Sequence, residues 1–252
     1  MQQRLTAFAL ALAFATALPS HAHAVKPIKV LIVSGGCCHN YARQRALLET
    51  GLKARINADV TQVFYDPTPG EQATRPALPI HANPRYADGY DVVIHNECAA
   101  SEDSAAVLDA VLAPHRLGTP GVNLHCAMHS YRSGAWQLPV KAGEPHAAWF
   151  EYTGIQSTGH GPQSPIRLAA AAGHPINIGF VPFVTGNEEL YNNLTVFDVT
   201  PVLTGVQEEA ANPSDRGNTV NVAWTHVYGT RHTRVFSTTG AQRRRNGGSA
   251  LP

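Results

Sequence analysis

The stretch that decides the fold is IKVLIVSGG, Ile28 to Gly36. It is apolar, rich in β-branched side chains, free of polar alternation, and broken by two glycines. Such a run predicts a strand buried on both faces, as in a sheet covered by helices. Reading outward, Leu48, Leu52 and Ile56 recur at helical spacing within Tyr41 to Ile56. Val60 to Tyr65 reads as a second strand. Asp66 to Asp88 carries five prolines and reads as a long connector rather than a helix. DVVIHN, Asp91 to Asn96, is a third buried strand, and Ser101 is the expected N-cap of a helix through Leu112. Gly118-Thr119-Pro120 then turns into a strand from Val122 to His125.

This alternation of strands and helices predicts a single α/β domain built on a doubly wound, mostly parallel sheet. Sites in such sheets form outside the carboxyl ends of the strands. Cys37, Cys38 and His39 follow the first strand, Glu97 and Cys98 the third, His125 and Cys126 the fourth. Residues far apart in sequence are therefore expected on one rim.

The bulk numbers agree with one globular domain. The chain has 252 residues, 15% charged and 44% hydrophobic, with a net charge of +1. That balance gives no electrostatic footprint for nucleic acid. The basic run Arg243-Arg244-Arg245 reads as part of a solvated tail, 241–252. At the other end, an apolar stretch from Leu5 to Leu18 closes with Ala22-His23-Ala24. It is too short to span a bilayer and reads as a signal peptide, 1–24, removed near Ala24. The expected domain is then 25–240, exported to a periplasm or secreted. In that oxidising setting, the four cysteines suggest one or two disulfides. A ring between adjacent Cys37 and Cys38 would be strained, so a bridge from one of them to Cys98 is weighed against free thiols.

The second half is less regular. Ile166 to Ala172, Asn193 to Leu203, Thr219 to Val227 and Arg234 to Thr238 read as strands, with STGHGPQSP (157–165) and TGNEELYNN (185–193) as loops. No repeat, heptad or low-complexity tract is present. Gly35 and Gly36 lack the spacing of a phosphate-binding loop, so no nucleotide cofactor is expected.

Six motifs in order now point to a family. VLIVSGGCCHNY (30–41), YDVVIHNEC (90–98), GVNLHCAMHSYR (121–132), GHGPQSPI (159–166), TGNEELY (185–191) and VAWTHVYG (222–229) resemble the ThuA-like, or trehalose utilisation, family over about 28–239. The resemblance implies a flavodoxin-like fold similar to class I glutamine amidotransferases, and a role in carbohydrate metabolism with ketoglycoside-type substrates. The family usually places a Gly-His pair after the threonines of the last strand. Here Thr238-Thr239-Gly240 runs into AQRRRNGGSALP instead.

Two kinds of chemistry compete at the rim. In the amidotransferases the turn after the fourth strand bears a nucleophilic cysteine. Alignment places His125 there, and a shift of one residue places Cys126 there. No His followed by a nearby Glu stands where those enzymes keep their base, so a Cys126 amidohydrolase is the weaker reading. The stronger is metal-assisted or acid–base chemistry. His125, His160, Glu188 and Glu189 are the catalytic candidates. His39, His125, His129 and His226 are the metal candidates, suited to zinc or manganese. His125 and His129 share one face if their segment is α-helical. Asn187 and Tyr191 suit hydroxyl recognition. Arg132 suits a carboxylate or keto oxygen, or else a surface salt bridge. Glu97 adds a carboxylate to the substrate-binding set. Trp224 is expected in the core, with a platform for a sugar ring as the other role. His95 reads as a hydrogen-bonded core histidine. The expected partner is a small carbohydrate, and a non-catalytic carbohydrate-binding module is the rival to an enzyme.

Overall fold

The structure, a computed structural model, describes residues 25–66, 73–208 and 217–240. The expected signal peptide and basic tail lie outside the described residues, as does part of the proline-rich connector. No helix among the described residues is long and apolar enough to cross a membrane.

Strands β1 (Ile28–Gly36), β2 (Ala58–Tyr65), β3 (Val92–Cys98) and β4 (Gly121–Leu124) form one half of a nine-stranded sheet. The other half contains β6 (His160–Ala170), β7 (Phe183–Tyr191), β9 (Val199–Val206), β10 (Val220–Tyr228) and β11 (Thr233–Thr238). Short strands β5 (Ile155–Gln156) and β8 (Thr195–Val196) pair separately. The order is β2-β1-β3-β4-β11-β10-β9-β6-β7. Pairing is parallel from β2 through β11 and antiparallel from β11 to β7, so the sheet is α/β in its first half and mixed as a whole.

The opening stretch is buried from Val30 onward. Leu31 and Val33 pack against Val111 and Leu112 of α2 (Ala105–Arg116) and Trp149 and Phe150 of α3 (Ala148–Thr153). Val30 and Ile32 face the other way, onto Leu48 and Leu52 of α1 (Tyr41–Lys53). Period-2 alternation thus sends one apolar run into two cores, each buried side chain contributing about 1.5–3 kcal/mol. Two glycines end it because nothing larger fits. At φ +142° and +100°, a Cβ on Gly35 or Gly36 would strike the Tyr65 or Cys98 carbonyl.

Three expectations are corrected. Helix α2 is capped by Ser104, whose hydroxyl accepts from the Val107 amide, whereas the Ser101 amide is already donated to the Thr74 carbonyl. Segments 157–165 and 185–193 are not free loops: most of each belongs to the paired strands β6 and β7. Their glycines, prolines and polar residues hide a strand whose stability comes from its neighbour. Finally, Cys37 pairs with Cys38 and Cys98 with Cys126, in place of a bridge between the first pair and Cys98.

Candidate active site

The ends of β1, β4 and β11 and the last turn of β7 meet at one rim. The chain leaves β4 at Leu124 and enters a 3₁₀ turn, His125–His129, with His125 itself at φ +47°. That left-handed backbone, uncommon for a side-chain-bearing residue, turns its ring towards β11 and β7. His125 Nδ1 lies 2.6 Å from the Thr239 carbonyl, which can only accept, so Nδ1 carries the proton. Nε2 is left facing Glu189 Oε2 at 3.3 Å.

His160 repeats the arrangement. Its Nδ1–H donates to the Gly161 carbonyl at 2.8 Å, and Nε2 faces the same Glu189 oxygen at 3.7 Å. Glu189 Oε1 accepts from Gln163 Nε2 at 2.9 Å. His160 and Gln163 are an odd number of residues apart, yet both reach Glu189. The register shift between them makes this possible by flipping the intervening alternation. His39 completes the group, its ring centroid 4.7 Å from that of His125. The ligand atoms of His39, His125 and Glu189 lie within 4.8 Å of one another, a group able to hold a metal ion.

The neighbouring His125, the Gln163 amide and His160 hold the Glu189 carboxyl down at about 2, against its partial burial. The site therefore keeps a carboxylate opposite two imidazole nitrogens whose other ring nitrogen is committed to backbone. Metal-bound histidines characteristically make that backbone bond. Mixed imidazole and carboxylate sets of this kind are ones that divalent metal ions accept.

Other candidates fall elsewhere. His129 lies beside, but outside, the His39–His125–Glu189 group: its segment is a 3₁₀ turn with three residues per turn, so i and i+4 diverge by ~120°. Its Nε2 bonds the Ser157 hydroxyl at 2.9 Å, its ring stacks on Tyr191 at 4.1 Å, and burial pushes its pKa well below the usual range. His226 pairs with Val235, which in turn pairs with Gly121 at the start of β4, so it lies towards the opposite end of the strands. Cys126 is tied to Cys98 rather than free to act as a nucleophile.

The substrate-binding set divides as well. Glu97 is fully buried, accepting from His95 Nδ1 at 2.7 Å and the Tyr131 hydroxyl at 3.0 Å, so it is interior and out of a ligand's reach. Trp224 is also fully buried and donates to the Thr153 carbonyl at 2.7 Å, which excludes the sugar-platform role. Glu188 is buried on the face of β7 opposite Glu189, and Asn187 is exposed on the strand. Tyr191 is buried, its ring 4.9 Å from His125 and 5.5 Å from His160. Arg132 lies 3.9 Å over the Trp136 ring, its Nε without a hydrogen-bond partner among the described residues and its pKa lowered by burial to about 10.

Sequence reasoning missed Gln163, Thr239 and Tyr41. Gln163 is visible only once β6 and β7 are in register, and Thr239 acts through a backbone carbonyl that any residue supplies. The Tyr41 hydroxyl is buried beside the cysteines without a hydrogen-bond partner among the described residues, and burial raises its pKa. Beyond His160 and Tyr191 a cleft of about 830 Å³ opens, lined by amides and hydroxyls such as Thr158, Asn192 and Gln207 together with the apolar Leu190, Leu194 and Val220.

No family model matches the chain, and no curated protein does. Among solved structures the chain is similar to one from Parabacteroides merdae described as ThuA-like, with TM-score 0.61 and 17% identity over 85% of this chain and 79% of that one. A second, from Bacteroides uniformis and also described as ThuA-like, gives TM-score 0.58 and 15% identity over 88% and 85%.

Proposed function

We propose that the chain, whose fold is similar to that of these ThuA-like structures, has a carbohydrate-directed role, as an exported enzyme whose rim holds a divalent metal ion beside a sugar. The reading includes a flavodoxin-like, doubly wound first half, supported by α1 on one face of the sheet and α2 and α3 on the other. It also takes residues 1–24 as a cleaved signal peptide and 241–252 as a tail.

The observation that carries the reading is the pair of histidines with Nδ1–H given to backbone and Nε2 turned on one carboxylate. His39, His125 and Glu189 would hold the metal, zinc or manganese. Bound there, the ion would polarise a sugar carbonyl or hydroxyl. His160 is more exposed than His125, and it borders the cleft. The Gly161 carbonyl fixes its tautomer, which leaves Nε2 as proton acceptor. A keto group acidifies the neighbouring C–H, so a base at His160 suits elimination, hydration or isomerisation of a ketoglycoside. Gln163 acts as a positioning residue for Glu189. The amide-rich cleft suits the hydroxyls of the remaining sugar, and Tyr191 closes the floor between the two.

The test is turnover of 3-keto glycosides by mature protein loaded with zinc or manganese. The reading expects metal-dependent turnover that His160→Ala lowers at least tenfold. Absence of turnover with either metal overturns it as an enzyme. The cleft's mix of amides, hydroxyls and apolar side chains also favours a second reading, a carbohydrate-binding module, for which sugar binding would persist unchanged in His125→Ala.

A further inference from the structure

Beside the histidines, four sulfurs form a line from the surface inward. Cys38 is exposed and bonded to Cys37, which is only 9% exposed. Cys37 Sγ lies 3.6 Å from Cys98 Sγ, and Cys98, 1% exposed, is bonded to Cys126, 6% exposed. Two disulfides are thus in van der Waals contact, one at the surface and one beneath it, with Tyr41 packed against the inner sulfurs. Each pair abuts the candidate site in sequence: Cys38 precedes His39, and Cys126 follows His125.

From this contact we propose that the four cysteines are a thiol–disulfide exchange site, passing electrons from an external dithiol at Cys38 to the buried Cys98–Cys126 bond. Exchange proceeds by attack of a thiolate on a disulfide sulfur, so access decides which bond opens first. Only Cys38 is open to an external reductant. Its attack on Cys38 Sγ breaks the Cys37–Cys38 bond and releases the Cys37 thiolate. The reductant's second thiol then resolves the mixed disulfide, leaving the external dithiol oxidised by two electrons and Cys38 as a thiol.

Cys37 is now a thiolate already in contact with Cys98. It attacks Cys98 Sγ, forming Cys37–Cys98 and expelling the Cys126 thiolate, which takes up a proton. The Cys38 thiolate attacks Cys37 in turn, re-forming Cys37–Cys38 and expelling Cys98, which also takes up a proton. The net reaction reduces Cys98–Cys126 by two electrons and two protons at the expense of the external dithiol. It also releases the tie between the end of β3 and the turn that carries His125.

The test is reduction of oxidised, full-length mature protein by dithiothreitol, quenched by alkylation and read peptide by peptide by mass spectrometry. The C37S/C38S variant should open Cys98–Cys126 at least tenfold more slowly than wild type. Cys38→Ser strands Cys37 as a lone thiol, and should yield a Cys37–Cys98 bridge with Cys126 alkylated. This second variant decides the matter if the double variant does not fold. Equal opening rates in the double variant, Cys37 alkylated with Cys98–Cys126 intact in Cys38→Ser, or four free thiols in the oxidised protein would each overturn the proposal.

Discussion

His125 Nε2 and Glu189 Oε2 stand 3.3 Å apart while the Nδ1–H of the same ring is bound to the Thr239 carbonyl. Both facing atoms are acceptors unless something positive lies between them, either a second proton on the ring or a metal ion. His125→Ala removes one of the two partners and a ligand together. It should weaken zinc or manganese binding by more than the ~10–100-fold typical of an outer-shell residue. Equilibrium dialysis against either metal checks this.

Gln163 Nε2 donates to the other carboxylate oxygen of Glu189 at 2.9 Å. Gln163→Ala should cost about 10–100-fold in metal affinity. Gln163→Glu should do worse, by placing like charges opposite each other across the strands. The metal dissociation constants of the two variants, ranked against wild type, check the order.

A buried chain runs from Glu97 through His95 to His115, which gives its Nδ1–H to the Thr119 carbonyl. Burial first, then the neighbouring His95, lowers the His115 pKa to about 3. The folded-state value lies below the unfolded one, near 6.5, so the unfolded chain binds the extra proton. Stability is therefore complete above about pH 6.5 and falls as pH drops towards 3, by up to ~1.4 kcal/mol per pH unit from this residue. Denaturant melts between pH 7 and 5 should show that slope in wild type and a flatter one in His115→Gln.

Trp224 lies in the core, its indole N–H on the Thr153 carbonyl. Trp224→Phe should lower stability by about 1–3 kcal/mol through the lost bond. Sugar affinity of the folded fraction should stay unchanged, since the ring cannot touch a ligand. Thermal melting and sugar calorimetry on the same sample separate the two effects.

Much of the rim was legible from sequence because parallel strands advertise themselves. The strand-like runs at 28–34 and 122–125 placed His39 and His125 at the carboxyl ends of two strands of the parallel half, with β3 between them. The antiparallel half was harder to read. TGNEELY is too polar to declare a strand, and only pairing with β6 fixes which glutamate faces His125. The turn after β4 was legible as a site but not in its pitch: a 3₁₀ winding, invisible in the residue pattern, leaves His129 on Tyr191 and Ser157 and outside the His39–His125–Glu189 group. Glu97 misled because a polar side chain in a motif looks functional whether it faces a ligand or a core, whereas Trp224 lies in the core as expected. The disulfide partners were hidden because pairing depends on how the ends of β1, β3 and β4 lie in space.

The central claim is tested most directly by divalent-metal binding to metal-free mature protein, measured by calorimetry in wild type and Glu189→Gln. The account predicts a single tight zinc or manganese ion in the wild type, strongly weakened in the variant, with an anomalous diffraction peak between His39, His125 and Glu189. No binding by the wild type, or equal binding by both proteins, would contradict it.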